Sequence, residues 1–187
     1  MRLPPEKSVS IYEFYRLREK DNKILEYIDG IVYMSPSPST KHQQISMKLS
    51  SEIYNYLKGK ECEVFSAPFD IHLYKDGIQG EKIVIPDISV ICDKNGLSDN
   101  YYKGVPNLIV EILSPSNQSH DLVFKLNLYM QYGVKEYWIV NPMLKTIQVY
   151  QLDKDENYIQ QAVKNEIGEI YSKVLDGFKI NLEDVFR

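Results

Sequence analysis

Two carboxylates sit inside apolar runs of this chain: Asp87, directly after Pro86, interrupts the run 83–91, and Glu111 interrupts the run 108–113. Runs of this length and composition predict buried strands. An ionised carboxylate in such a strand carries a heavy desolvation cost unless a cation or hydrogen-bond donors meet it, so two acids in neighbouring strands imply a shared partner. A divalent metal suits both. Strand alternation places Ile83, Ile85, Asp87, Ser89 and Ile91 on one face, and Ile109, Glu111 and Leu113 on one face of the other strand. Pro86 removes a ladder hydrogen bond just before Asp87, which predicts a bend or a sheet edge where the carboxylate can reach a cleft.

A lysine is the third member of this group. On the helix expected around it, Asn127 and Gln131 mark the polar side, whereas Lys125 projects between Leu128, Tyr129 and Tyr132. It points inward, either as a core-covering lysine whose ammonium reaches water or as the cation beside the two acids. Glu26 lies on a strand just before Asp29-Gly30 and reads either as an outer carboxylate of the site or as an exposed hairpin acid. His42 stands three residues before Ile45 and shares the apolar stripe of its helix. It reads either as a packed histidine or as a catalytic one, whose neutral form a helix N-terminus would favour.

The elements that must position these residues follow from periodicity and turn chemistry. Residues 10–20 carry Ile11, Phe14, Tyr15 and Leu17 at helical spacing, with Ser10 and Glu13 as a capping box. Strands 24–28 and 31–34 flank Asp29-Gly30, a type I′ hairpin signal. Ser35-Pro36-Ser37-Pro38-Ser39 stops the second strand, and Ser39 or Thr40 caps a long helix with Ile45, Leu49, Ile53, Tyr56 and Leu57 on one side. Strands at 62–66, 69–73, 83–91 and 107–113 come next, then a turn at Ser114-Pro115-Ser116-Asn117. A helix over about 120–132 ends at Gly133, followed by strands at 136–140, 146–152 and near 158–163 and a terminal helix at 182–186. Alternation of helices with mixed strands predicts a single α/β (α+β) domain over 1–187, with an N-terminal hairpin and a C-terminal β extension.

Composition narrows the function classes. With 43% hydrophobic and 26% charged residues the chain is typical of soluble globular proteins, and it contains no run of membrane-spanning length. No export signal opens it, so the expected location is the cytoplasm. A net charge of −4 argues against a protein that coats nucleic acid through bulk electrostatics. Cys62 and Cys92 lie far apart in apolar stretches without metal-ligand spacing and read as buried free thiols. GxSxG, HExxH and P-loop patterns are absent from the sequence.

Pro86-Asp87, an apolar strand bearing Glu111 and a helix bearing a lysine together resemble the PD-(D/E)XK nuclease superfamily. The wider set narrows the resemblance: Glu26-Tyr27-Ile28-Asp29-Gly30, Met34-Ser35-Pro36 with His42, Val110-Glu111-Ile112-Leu113-Ser114-Pro115-Ser116, Asp121, Lys125, Tyr129, Gly133-Val134 and Tyr137-Trp138-Ile139-Val140-Asn141-Pro142. In that order, over about residues 12–152, it is similar to the Uma-two family of restriction-endonuclease proteins. The resemblance implies a restriction-endonuclease-like mixed sheet flanked by helices and an endonuclease acting on DNA. Mg²⁺, or Mn²⁺ in its place, would be held by Asp87, Glu111 and the carbonyl of Ile112, with Lys125 assisting the attacking water and Glu26 as an outer carboxylate.

The chain departs from the superfamily at one position: the lysine normally found two residues after the acid is replaced by Leu113. Lys125 takes that role only if it has migrated to the helix. The alternative is a nuclease fold that binds DNA or protein without chemistry. Two cuts on duplex DNA would suit a homodimer, and the late hairpin bearing Tyr137, Trp138 and Tyr150 is the expected place for its interface.

Overall fold

The computed structural model describes residues 8–21, 24–34, 37–114 and 120–187. Helix α1 (Ile11–Asp21) starts where the Ser10 hydroxyl accepts the Glu13 N–H at 3.2 Å. Strands β1 (Leu25–Ile28) and β2 (Ile31–Met34) form the expected hairpin, with Asp29 and Gly30 at φ 49° and 89° as a type I′ turn requires. Helix α2 (Thr40–Leu57) is capped by Ser39, which accepts the His42 N–H, and buries Ile45, Leu49, Ile53 and Leu57 along one face. The middle of the chain supplies β3 (Glu63–Ser66), β4 (Asp70–Leu73), β5 (Lys82–Val84), β6 (Ile88–Ile91), β7 (Tyr101–Gly104) and β8 (Leu108–Ile112). A π-helical turn, His120–Lys125, runs into α3 (Leu126–Tyr132), closed by Gly133 at φ 87°. The last part contains β9 (Glu136–Asn141), β10 (Thr146–Leu152), β11 (Tyr158–Asn165), β12 (Glu169–Tyr171), β13 (Lys179–Asn181) and α4 (Leu182–Phe186).

Two mixed sheets result. One has the order β2-β1-β5-β4-β7, the other β11-β10-β9-β8-β6-β3, and β12 pairs with β13 alone. The pairs β4/β7 and β8/β9 are parallel; the other pairings are antiparallel. Alternation along the six-stranded sheet divides its side chains between two cores. Ile88, Val90, Val110 and Trp138 pack with α2 and α4, whereas Ile109, Leu113, Tyr137 and Ile139 pack with α3 and the five-stranded sheet. A smaller cluster joins Phe14 of α1 to Tyr27, Val32 and Ile83. The fold is therefore the expected α+β arrangement of mixed sheets flanked by helices. Among the described residues no helix is long and apolar enough to cross a membrane.

Several expectations are corrected. Residues 83–91 do not form one strand: β5 belongs to one sheet and β6 to the other, with Ile85-Pro86-Asp87 crossing between them. Pro86 cannot donate to a ladder, and the Ile85 N–H is taken by the Glu26 carboxylate instead of a strand. Cys62 and Cys92 are not free thiols but a disulfide. Their pairing follows from register, because Glu63 opposes Ile91 across β3 and β6, which leaves the two cysteines opposite each other at the next step. Tyr137 and Trp138 are wholly buried in the chain's own core, so neither can form the expected interface, whereas Tyr150 is partly exposed. Of the turn residues read from the sequence, Ser35, Pro36 and 115–117 lie outside the described residues, as do residues 1–7 and the side chain of Asp121.

Glu136 ties the C-terminal strands to the large sheet. It is fully buried, and it accepts Trp138 Nε1–H at 2.7 Å, Gln151 Nε2–H at 3.2 Å and the backbone N–H groups of Lys173 and Val174 at 2.8 and 3.3 Å. Removing the acceptor leaves the buried Trp138 and Gln151 donors without it. Glu136→Ala should therefore lower the unfolding free energy in urea by about 2–4 kcal/mol; a change near zero would show that the C-terminal strands are held by packing alone.

Candidate active site

The crossing at Pro86 leaves a gap where the two sheets diverge, and polar side chains from five elements meet around it. Glu26 comes from β1, Asp87 from the residue before β6, Glu111 from β8, Lys125 from the end of the π-helical turn and His42 from the first turn of α2. A cavity of about 140 Å³ is lined by His42, Asp87, Glu111, Ile112 and Lys125, with Ser37, Gln43 and Ser46 among its other walls. Antiparallel pairing of Ile88 with Val110 puts Asp87 and Glu111 at the next opposed step, so both acids face the same space.

The contacts divide into two linked groups. Lys125 Nζ donates to Glu111 Oε1 at 2.8 Å and to Glu26 Oε1 at 3.1 Å. Glu26 Oε1 also accepts the Ile85 N–H at 2.8 Å, and Glu111 Oε1 accepts the Tyr129 hydroxyl at 2.7 Å. All four side chains are buried: Glu26 is 3% exposed, Glu111 4%, Lys125 4% and Tyr129 0%. On the other side of the cavity, Asp87 Oδ2 accepts the Ile112 N–H at 2.7 Å and lies 3.2 Å from His42 Nε2. Burial, reinforced by the charge of Glu111, pushes the Tyr129 phenol well above its usual range, so it remains a proton donor.

All the residues singled out in the sequence are thus brought together. Lys125 does not snorkel to solvent; it stands where the π-helical turn passes into α3 and is buried against Glu26 and Glu111. Leu113, at the position of the usual superfamily lysine, is 4% exposed and packs in the core beside α3. Glu26 is not an exposed hairpin acid, and His42 is turned toward Asp87 at the cavity wall. Tyr129 and the Ile85 N–H were missed as parts of the site. Tyr129 was open to detection, because it follows Lys125 by four residues and so shares its face of a helix.

Two buried carboxyl groups, Glu26 and Glu111, share Lys125, while Asp87 faces the same cavity beside His42. Oxygen donors of this kind suit a hard divalent cation, with Asp87 and Glu111 opposed across one space and both contacts of Asp87 confined to Oδ2. Among the described residues no group of three or more His, Cys, Asp and Glu side chains is arranged to hold a metal, so a cation would complete its shell with backbone oxygen, water or substrate.

Mixed sheets flanked by helices, with acids and a lysine where the sheets diverge, define the class of fold. The chain belongs to the Uma2 (Uma-two) family, described as "Putative restriction endonuclease", which matches residues 11–183. An uncharacterized protein of Synechocystis is 28% identical over 156 residues, covering 83% of this chain and 80% of that protein. The fold matches the crystal structure of a protein from Anabaena variabilis described as a putative nuclease belonging to DUF820. Its TM-score is 0.73 at 20% identity, over 95% of this chain and 97% of the other.

Because Lys125 is the counter-charge of two buried carboxylates, its loss should be felt by the fold. Lys125→Met is expected to reduce stability by about 3–5 kcal/mol in urea unfolding, and much less in a Glu26→Gln, Glu111→Gln background. Equal losses in both backgrounds would mean that the lysine stem's packing, not its charge, is what matters.

Proposed function

We propose that this chain is a metal-dependent endonuclease that hydrolyses phosphodiester bonds in DNA. The observation that carries the proposal is the convergence of Asp87, Glu111 and Lys125 on one cavity, in a chain of the Uma2 family. Asp87 and Glu111, with the Ile112 carbonyl, would hold Mg²⁺, or Mn²⁺ in its place. The ion, when bound, would polarise the scissile phosphate and lower the pKa of a bound water. Ile112 N–H and His42 hold Asp87 in place through Oδ2. Lys125, fixed between Glu26 and Glu111, brings positive charge to the cavity wall, where it can orient the attacking water or offset charge in the transition state. Glu26 acts through Lys125 as the outer carboxylate. The reading places the enzyme in the cytoplasm, with a second copy making the second cut on duplex DNA.

Leu113 at the usual lysine position favours the competing reading, a fold that binds DNA without cutting it. Plasmid cleavage separates the two. The parent protein should nick or linearise plasmid with Mg²⁺ and not with excess chelator. Asp87→Asn, which can still accept the Ile112 N–H, should lower cleavage by about two to four orders of magnitude with little loss of DNA binding. Plasmid that is bound but stays intact at every Mg²⁺ and Mn²⁺ concentration would favour the binding module.

A further inference from the structure

Two donors from one helical segment meet a single carboxylate oxygen: Lys125 Nζ at 2.8 Å and the Tyr129 hydroxyl at 2.7 Å, both on Glu111 Oε1. The lysine is explained by charge. The tyrosine is not, because the carboxylate already has its counter-ion, and a phenylalanine would fill the same apolar space. The ring itself is held by packing, edge-on to Tyr137 with centroids 5.1 Å apart, in the core that also contains Leu128 and Tyr132. The hydroxyl therefore has a fixed position from which to direct its hydrogen bond.

A carboxylate is planar, and its side-chain torsions are otherwise free to turn the plane. Two donors on Oε1 restrict that freedom by holding this oxygen toward the helical segment. Glu111 is also a wall of the cavity that Asp87 faces. We infer that Tyr129 is a positioning residue for the cation site, setting the orientation in which Glu111 meets a divalent ion opposite Asp87. The inference rests on the metal-dependent reading above and deepens it, since Tyr129 touches neither substrate nor ion and acts only through Glu111. A buried hydroxyl serves this purpose better than a second cation, because it restrains the oxygen without adding charge that would repel the metal.

The test is Mn²⁺ binding to the whole chain, followed by electron paramagnetic resonance of the free ion, in the parent, Tyr129→Phe and Asp87→Asn. Tyr129→Phe keeps the ring and removes only the donor. It should weaken Mn²⁺ binding by about 10- to 100-fold, the usual effect of losing a group that orients a metal ligand. The Mg²⁺ concentration for half-maximal plasmid cleavage should rise by a similar factor. A purely structural role would lower the thermal midpoint and leave Mn²⁺ affinity where it was. Unchanged affinity in Tyr129→Phe beside a large loss in Asp87→Asn would overturn the inference while sparing the metal site. A parent that neither binds Mn²⁺ nor cuts plasmid would overturn the metal-dependent reading and this inference with it. On the parent itself, the Tyr129 ¹³Cζ resonance should move on addition of Mg²⁺; a resonance that ignores the ion at saturating concentration would also count against the inference.

Discussion

Glu26 and Glu111 approach each other from separate sheets, and Lys125 between them is what makes that approach tolerable. Each acid is nearly wholly removed from water, and both share the one ammonium within 3.1 Å. Buried charges left without a partner cost several times the net worth of an ordinary hydrogen bond. The lysine is consequently a condition of the fold at this point as well as a candidate for chemistry. The sheets diverge here because Pro86 ends one ladder and Asp87 begins the approach to the next. The same interruption that opens the gap also places an acid at its mouth.

The network is asymmetric in a way that suits the proposed chemistry. On one wall, Lys125 donates to both Glu26 and Glu111, and the hydroxyl of Tyr129 adds a neutral donor to Glu111. On the other, Asp87 is restrained by a backbone N–H and an imidazole. An added cation between the two walls would meet oxygen ligands whose directions are already set, and preorganisation of this kind spares reorganisation at the moment of reaction. His42 reaches Asp87 from the start of α2, so the long helix that fills one core also supplies a wall of the cavity.

Much of this was legible in the sequence because it rests on short-range rules. The hairpin followed from Asp29-Gly30, α2 from Ser39 and its apolar stripe, and the shared face of Ile109, Glu111 and Leu113 from strand alternation. Long-range facts were less accessible. The pairing of Cys62 with Cys92 depends on β3 lying beside β6, which no local pattern declares. Strands β7, β12 and β13 are three or four residues long and gain their identity from neighbours. Glu136 shows where the argument from buried acids loses its power to discriminate. It too is a carboxylate in an apolar strand, yet neutral N–H donors satisfy it fully and it ties the fold together away from the cavity. A buried acid announces a partner; only the three-dimensional arrangement says whether that partner is a cation.

The central claim is that Asp87 and Glu111 bind one divalent ion between them. Crystals of the protein soaked in Mn²⁺ and measured near the manganese absorption edge test it most directly. The account predicts an anomalous peak inside the cavity, about 2.1 Å from a carboxylate oxygen of each acid. A cavity without such a peak under saturating Mn²⁺, or a peak bound to only one of the two acids, would contradict it.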